Sequence, residues 1–296
     1  MRRLFPGLLR LTSAIGLAGV IGLGHVAPVG ATAGHPIRIY LLATHSVGGW
    51  PFAELVAVRR TVDPGGNLPR AALDALIAGP TPIEQSGDWP GRSEPLPALH
   101  SRVPAGTVIH GVRVRNHRAR VDLGASFQFR EDRDDPYGYV DRLAQVTYTL
   151  TALPGIDEVR LRKDGRRVDV PEAHEHFPVP VPYAMGRGSY TDLLPPVFVD
   201  TPAWGADPGS RIQITGNATV MAGRIRLALV DRKTGQVLAR RVLSAPCPGC
   251  WVGPGGGPFS ATLQLPAGSD PTDLRIRAAE MTKDGHARKV RETPIR

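Results

Sequence analysis

The chain has 296 residues, a formal net charge of +9, a pI of about 10.1 and 42% hydrophobic residues. This composition excludes an intrinsically disordered chain, and the length allows two domains with separate cores. The 34 glycines and 29 prolines predict many turns, which favours short strands over a helical bundle. The basic residues are mostly arginine and form no dense run with interleaved aromatic residues. We therefore expect no nucleic-acid partner, although weak attraction to acidic envelope polymers fits the charge.

The first 33 residues have the layout of a secretory signal peptide. Arg2 and Arg3 precede an uncharged apolar segment over residues 11–24, and Ala31 and Ala33 place small side chains where a signal peptidase cleaves. The apolar segment is shorter than the roughly 20 residues of a membrane-spanning helix. We predict cleavage after Ala33 and a secreted, extracytoplasmic protein without a stable membrane span. The alternative is an uncleaved segment that anchors the protein to the membrane.

Strands and helices alternate over residues 36–171. Hydrophobic runs predict strands over residues 36–43 and 55–62, and alternation with turn residues predicts hairpins over 108–124 and 159–170. Apolar residues at helical spacing predict helices over residues 68–78 and 139–153. This region is therefore expected to be a mixture of helices and strands.

The first helix ends abruptly in the sequence AGPTP. Gly79 can adopt the left-handed conformation that caps a helix, and Pro80 cannot continue one, so we interpret this stop as structural. The loop over residues 83–101 is long, and long loops are often functional. We expect this loop to be a binding surface.

Residues 172–192 are proline-rich, lack periodicity and are predicted to be a linker. No helix is predicted after residue 193. Frequent turn residues separate seven predicted strands, over residues 197–200, 211–219, 224–231, 236–244, 257–265, 274–282 and 287–295. Seven short strands in about a hundred residues are typical of an immunoglobulin-like β-sandwich.

Several stretches resemble two known domain families in tandem. Residues 71–84, 103–127 and 143–171 resemble the GerMN domain of sporulation and spore germination proteins. Residues 195–220 and 257–266 resemble the immunoglobulin-like domain of bacterial spore germination, whose G-x-A-x-V step is matched by Gly216, Ala218 and Val220. The resemblance implies an α+β fold, with a small mixed GerMN-like domain over residues 36–171, a linker over 172–192 and an all-β immunoglobulin-like sandwich over 193–296. It also implies an exported envelope protein. Neither family pattern includes catalytic residues, so the resemblance implies no enzymatic activity.

Motifs for catalysis or metal binding fail on their spacing. The sequence HEHFP (residues 174–178) places a proline where the second zinc-binding histidine of a peptidase helix would stand. The acidic run over residues 131–135 lacks the spacing of a calcium loop, and the glycine-rich residues 253–258 lack the lysine of a phosphate loop. We predict no catalytic residue, no cofactor and no metal site.

Cys247 and Cys250 are the only cysteines, in a loop between two predicted strands. An extracytoplasmic compartment is oxidising, and a catalytic pair of this spacing normally begins a helix. We predict a structural disulfide. The leading hypothesis is therefore a secreted, non-enzymatic envelope protein that binds envelope proteins or peptidoglycan as an assembly module. The alternatives are a redox or enzyme-accessory protein that uses Cys247 and Cys250, and a hydrolase whose site is assembled only in the fold.

Overall fold

The computed structural model describes residues 34–47, 50–88, 96–127, 138–168, 184–207, 209–220, 223–244, 257–269 and 274–295. The predicted signal peptide (residues 1–33), Cys247 and Cys250, and the motifs at residues 131–135 and 174–178 lie outside the described residues. The same holds for residues 253–256 of the glycine-rich stretch. Two hydrophobic cores lie in the described part of the chain, one dominated by the residues up to 194 and one by the residues from 197 onward.

Two sheets and three helices make up the part of the chain up to residue 168. The first sheet has the order β2-β1-β3 and consists of β1 (His35–Val47), β2 (Trp50–Val62) and β3 (Leu99–His100). The second has the order β4-β5-β6-β7 and consists of β4 (Ile109–Arg115), β5 (Arg118–Leu123), β6 (Glu158–Lys163) and β7 (Arg166–Arg167). The helices are α1 (Leu68–Ala78), α2 (Pro82–Ser86) and α3 (Gly138–Thr151). Because β5 and β6 are parallel, the chain crosses between them through α3.

The first two strands are longer than predicted. Each has 13 residues, because β1 and β2 pair along their whole length, from His35 with Val62 to Val47 with Trp50. Pairing extends β1 through the polar residues Thr44–Ser46 to Val47, and it begins β2 at Trp50, before the predicted start at residue 55.

The end of α1 differs in detail from the expected cap. Gly79 has φ +76° and ψ −159°, so its φ is positive but its backbone is not in the left-handed helical region. Its N–H donates to the Leu76 carbonyl at 3.1 Å, and Pro80 follows it. The end of α1 is therefore a local feature of the backbone. The next helix, α2, begins directly after it, and its Glu84 side chain accepts a hydrogen bond from the Thr81 N–H at 2.8 Å.

The long loop predicted over residues 83–101 is partly regular structure. It begins within α2 and ends in β3, which pairs with β1 at Leu42 and Ala43. Residues 89–95 lie outside the described residues. The segment left as irregular chain is therefore shorter than the sequence indicated.

Helix α3 is buried on nearly all sides, whereas the sequence predicted one apolar face. It packs against β1, β6, α1 and the 3-10 helix Arg187–Leu193. Its buried polar residues complete the hydrogen bonds of β1 where no strand adjoins it: Thr149 Oγ1 accepts from the Tyr40 N–H at 3.1 Å, and Gln145 donates to the Tyr40 carbonyl at 2.9 Å. These polar side chains satisfy backbone groups that would otherwise be buried without partners.

Residues 184–194, at the end of the predicted linker and just after it, pack on the first core. Met185 exchanges two backbone hydrogen bonds with Val159 of β6, at 2.8 and 2.9 Å. The Tyr190 side chain of the 3-10 helix is buried beside it, and its hydroxyl lies 2.9 Å from the Met185 sulfur.

The rest of the chain is a β-sandwich. One sheet has the order β12-β9-β8 and the other the order β11-β10-β13-β14. The strands are β8 (Val197–Thr201), β9 (Arg211–Ala218), β10 (Arg224–Asp231), β11 (Val237–Ser244), β12 (Gly257–Gln264), β13 (Leu274–Met281) and β14 (Ala287–Ile295). All seven predicted strands are present, which confirms the predicted α+β fold with an all-β second part.

Strand β8 belongs to both cores. Its side chains alternate, so Val197 and Val199 pack in the core of the sandwich, whereas Phe198 packs in the core of the first domain. Asp200 follows at an irregularity in the pairing with β9 and also faces the first domain, because Arg38 and Tyr40 hydrogen-bond to its carboxylate. The end of β8 thus places a carboxylate at the junction between the two parts of the protein.

Candidate binding surface

The second sheet presents arginine side chains to the solvent. Its inward residues Val112, Ala119, Val121, Val159 and Leu161 are buried in the first core. The alternate residues on β4, β5, β6 and β7 point outward, and we call this surface the arginine face. It consists of Arg113, Arg115, Arg118, Arg120, Asp122, Glu158, Arg160, Arg162 and Arg167. Its inner and outer residues follow from the period of two along a half-buried strand.

Cross-strand register brings arginines side by side. Arg113 of β4 lies opposite Arg120 of β5, and Arg120 lies opposite Arg160 of β6. Arg115 likewise lies opposite Arg118. Directly opposed residues of neighbouring strands have their Cβ atoms about 4.5–5.5 Å apart, and like charges at this distance destabilise a sheet. Within this row, the exposed pair of Arg113 and Arg120 therefore carries an unfavourable repulsion in the isolated protein.

The two acidic residues of the arginine face do not neutralise this row. Glu158 accepts from the Arg118 Nε at 2.7 Å, and Asp122 accepts from the Gly165 N–H at 2.9 Å. Arg113, Arg115 and Arg120 are exposed, and their side chains contact no acidic group within the described ranges. Three guanidinium groups on one flat surface are thus available to an anionic partner.

The hairpin that carries the face is fixed by its turn. Asn116 and His117 have φ angles of +50° and +58°, which is the pattern of a type I′ turn between β4 and β5. This two-residue turn sets the pairing of Arg115 with Arg118 and, through it, the whole register. A dense basic run is absent from the sequence because the arginines are gathered across strands. The signal that could have shown them is arginine at every second position in VRVRNHRAR and VRLRK.

A second polar cluster lies at the junction, around Asp200. Arg38 of β1 donates to Asp200 Oδ2 at 3.0 Å and to Thr201 Oγ1 at 2.6 Å. Arg187 donates to the same carboxylate oxygen at 3.0 Å and to the Tyr40 hydroxyl at 2.7 Å. Tyr40 in turn donates to Asp200 Oδ1. The carboxylate is satisfied by three donors from the first part of the chain.

The tyrosines of this cluster are held in their neutral form. Burial raises the pKa of Tyr40 far above its ordinary value, and the Asp200 carboxylate adds to the effect. Burial raises the pKa of Tyr148 to about 12, although the nearby Arg187 guanidinium opposes the shift. Both hydroxyls are therefore hydrogen-bond donors at neutral pH, and neither is suited to act as a base.

Further contacts join the sandwich to β2. Arg291 of β14 donates from two nitrogens to the two Glu54 oxygens, at 2.7 and 2.8 Å, and His45 Nε2 lies 3.1 Å from Glu54 Oε2. The Trp204 N–H and carbonyl pair with the Ala57 carbonyl and the Arg59 N–H, at 2.8 and 2.9 Å. These contacts tie the sandwich to β2 by both backbone and charge.

The residues singled out in the sequence are not brought together into a site. Cys247 and Cys250 lie outside the described residues, so the predicted disulfide stays a prediction. In the described part of the chain, no group of three or more histidine, cysteine, aspartate or glutamate side chains could hold a metal ion. Among its helices, none has the length and apolarity needed to cross a bilayer.

Residues 39–169 match the family model described as Germane, sporulation and spore germination. A structure of the tandem GerMN domains of the sporulation protein GerM from Bacillus subtilis is 20% identical, with a TM-score of 0.37, over 54% of this chain and 46% of that one. The first GerMN domain of the same protein is 20% identical, with a TM-score of 0.33, over 52% and 98% of the two chains. A Clostridium perfringens protein described as a lipoprotein is 16% identical, with a TM-score of 0.30, over 53% and 89%. The match thus spans about half of the tandem structure. A comparison with curated proteins finds no match.

Proposed function

From the sporulation and spore germination domain that residues 39–169 form, we propose that this protein is a secreted, non-enzymatic binding module of the cell envelope. Its ligand is an anionic cell-wall polymer, which carries phosphate or carboxylate groups and lies along the arginine face. The N-terminal residues 1–33 support an extracytoplasmic location through their signal-peptide pattern. The match of residues 39–169 to the Germane family supports a role in envelope assembly rather than in catalysis.

One observation carries this proposal, namely the directly opposed and exposed pair of Arg113 and Arg120. The sheet keeps these like charges opposite one another, although the arrangement is unfavourable in the free protein. An anionic ligand removes that repulsion when it binds, because each guanidinium can donate a pair of hydrogen bonds to a phosphate or carboxylate. The free energy that the pair costs in the free protein is regained in the complex.

The chemistry of the face favours a polymer over a protein or a nucleic acid. Protein interfaces have an apolar or aromatic centre, and single-stranded nucleic acids stack their bases on aromatic side chains. The outward residues of β4, β5, β6 and β7 include no aromatic side chain within the described residues, and their charged groups cover the centre of the sheet. A flexible polyanion needs only charge and hydrogen-bond donors, and this face supplies both.

The test is co-sedimentation of the chain from Gly34 onward with purified, protein-free cell wall. We expect saturable binding that weakens as ionic strength rises, because exposed charges are screened over about 10 Å in 0.1 M salt. The double variant Arg113→Gln/Arg120→Gln should bind about tenfold less tightly or worse, since each arginine near an anionic surface contributes about 1 kcal/mol. The matched control is Arg240→Gln/Arg241→Gln, which removes two exposed charges from β11 of the sandwich.

Equal weakening by the two double variants would contradict the proposed surface, since it would show only a dependence on net charge. A crosslinked acidic protein captured by the wild-type chain and lost in Arg113→Gln/Arg120→Gln, with no binding to purified wall, would replace the polymer by a protein partner. Both results are distinguishable from the expected one in the same set of samples.

A further inference from the structure

A cleft lies where the two parts of the chain meet, beside the first residues of β1. Its volume is about 480 Å³, within the roughly 300–1,000 Å³ range of ligand pockets. Ile37, Arg38, Arg59 and Leu153 line it from the first part of the chain, and Pro202 and Arg211 line it from the sandwich. Neither part alone forms the cleft, and pockets of this kind are common at domain junctions.

The cleft holds more positive charge than its own acids neutralise. Arg38 is committed to Asp200 and Thr201, as described above. The half-buried Arg59 and the exposed Arg211 also line the cleft, and within the described residues neither guanidinium has an acidic partner. The one carboxylate in the lining is that of Asp207, whose Oδ1 faces the Gly209 N–H at 3.4 Å. A half-buried arginine without a counterion is costly, so Arg59 marks a place for an anion that the exposed Arg211 can also reach.

Part of the cleft wall is apolar. Ile37, Leu153 and Pro202 are buried in the lining, and His35, Thr201 and Gln213 add polar groups to it. The cleft can therefore accept an apolar group together with a single anionic group. A highly charged polymer would leave the apolar wall unused, whereas a short peptide end would use both.

We propose that the junction cleft binds the C-terminal end of a short peptide, with its carboxylate between Arg59 and Arg211 and its last apolar side chains against Ile37, Leu153 and Pro202. Arginine forms paired hydrogen bonds with a carboxylate, which fixes the orientation of the peptide end. This site is separate from the arginine face and does not depend on the function proposed for it.

Isothermal titration calorimetry on the chain from Gly34 onward tests the site, with N-acetyl-trialanine as the free acid and as the C-terminal amide. We expect the acid to bind about tenfold more tightly than the amide or better, because the amide removes the charge that the arginines recognise. Arg211→Gln should weaken binding of the acid by a similar factor. Arg224→Gln, at the exposed start of β10, is the matched control and should bind like the wild-type protein.

Equal affinity for the acid and the amide, no heat of binding at millimolar peptide, or equal effects of Arg211→Gln and Arg224→Gln would each overturn the proposal. Peptides ending in D-alanine or in L-alanine identify the source, since cell-wall peptides end in the D form and proteins in the L form. Arg113→Gln/Arg120→Gln should leave binding of the free-acid peptide unchanged, because neither residue lines the cleft, so failure at this site is separable from failure at the arginine face. Arg211 is exposed, so its replacement should not disturb folding.

Discussion

Arg187 and Asp200 lie 13 residues apart and meet at the junction, where the guanidinium donates to Asp200 Oδ2 at 3.0 Å. The same guanidinium lies over the rings of Tyr40 and Tyr148, 5.3 and 5.0 Å from their centroids. Arg38 donates to the same carboxylate oxygen. One aspartate of the sandwich is therefore ion-paired with two arginines, Arg38 and Arg187, both of which are more than half buried.

Asp200→Asn should destabilise the protein by about 2–3 kcal/mol, because it leaves two guanidinium groups without a counterion while it keeps the shape of the side chain. The measurement is the free energy of unfolding in urea. Asp74→Asn is the control, since Asp74 is exposed and lies 3.7 Å from Arg70, and its loss should cost less than about 0.5 kcal/mol. Similar losses in the two variants would show that the junction carboxylate has no special role.

Glu54 makes stability depend on pH in the acid range. Burial raises the pKa of its carboxyl, but hydrogen bonds from His45 and Arg291 outweigh burial and lower it from 4.5 to about 2. The contribution is thus present above pH 4.5 and is lost as the pH falls towards 2, and we expect it to be about 2 kcal/mol after screening by solvent. Glu54→Gln should remove this part of the pH dependence, whereas a curve of unchanged slope would contradict the assignment.

The buried tyrosines should make the protein sensitive to alkali. The pKa of Tyr148 is about 12 in the folded protein because of burial, and burial raises the pKa of Tyr40 and Tyr190 as well. A tyrosine in the unfolded chain ionises near pH 10, so the stabilisation is complete below pH 10 and falls as the pH rises through the folded values. Tyrosinate absorbance should therefore show these three side chains ionising only with unfolding, as followed by circular dichroism. Their ionisation in the folded protein would contradict this expectation.

Gly216 should not tolerate a side chain. A Cβ atom at this position would lie 1.9 Å from the Phe198 carbonyl oxygen and 2.7 Å from the Phe259 ring, and the first of these is backbone that cannot move aside. Gly216→Ala should destabilise the protein by about 3 kcal/mol, because it forces β8 and β9 apart. The measurement is thermal unfolding of this variant beside Gly111→Ala in β4. A Cβ atom at Gly111 would meet nothing within 4 Å, so that control should be nearly neutral.

The elements could be predicted because their signals are local. Helix α1 spans Leu68–Ala78 as predicted, and β10 and β14 have the bounds read from the alternation of residues and the turns around them. Each of these segments has a hydrophobic period and a stop signal within its own sequence. Their identification needed no knowledge of the neighbouring strands.

The surfaces could not be predicted in the same way, because they depend on register and on contacts between distant segments. Arg120 and Arg160 become neighbours only once β5 and β6 pair, and Asp200 meets Arg38 across 162 residues of sequence. The buried polar side chains of α3 are another example, since Gln145 is needed there only because no strand pairs with β1 at Tyr40 on the edge away from β2. Local sequence patterns predict which residues face inward. Strand pairing and long-range contacts determine which residues lie opposite them.

The two-sided strand β8 has a consequence for any attempt to lengthen or shorten the protein near the junction. One residue inserted between 194 and 197 would turn Phe198 towards the sandwich and Val197 and Val199 towards the first domain. The first core would then lose the ring of Phe198, and the sandwich core would have to accept it in place of two valines. The protein should therefore tolerate a change of length in its other loops far better than the insertion of one residue just before this strand.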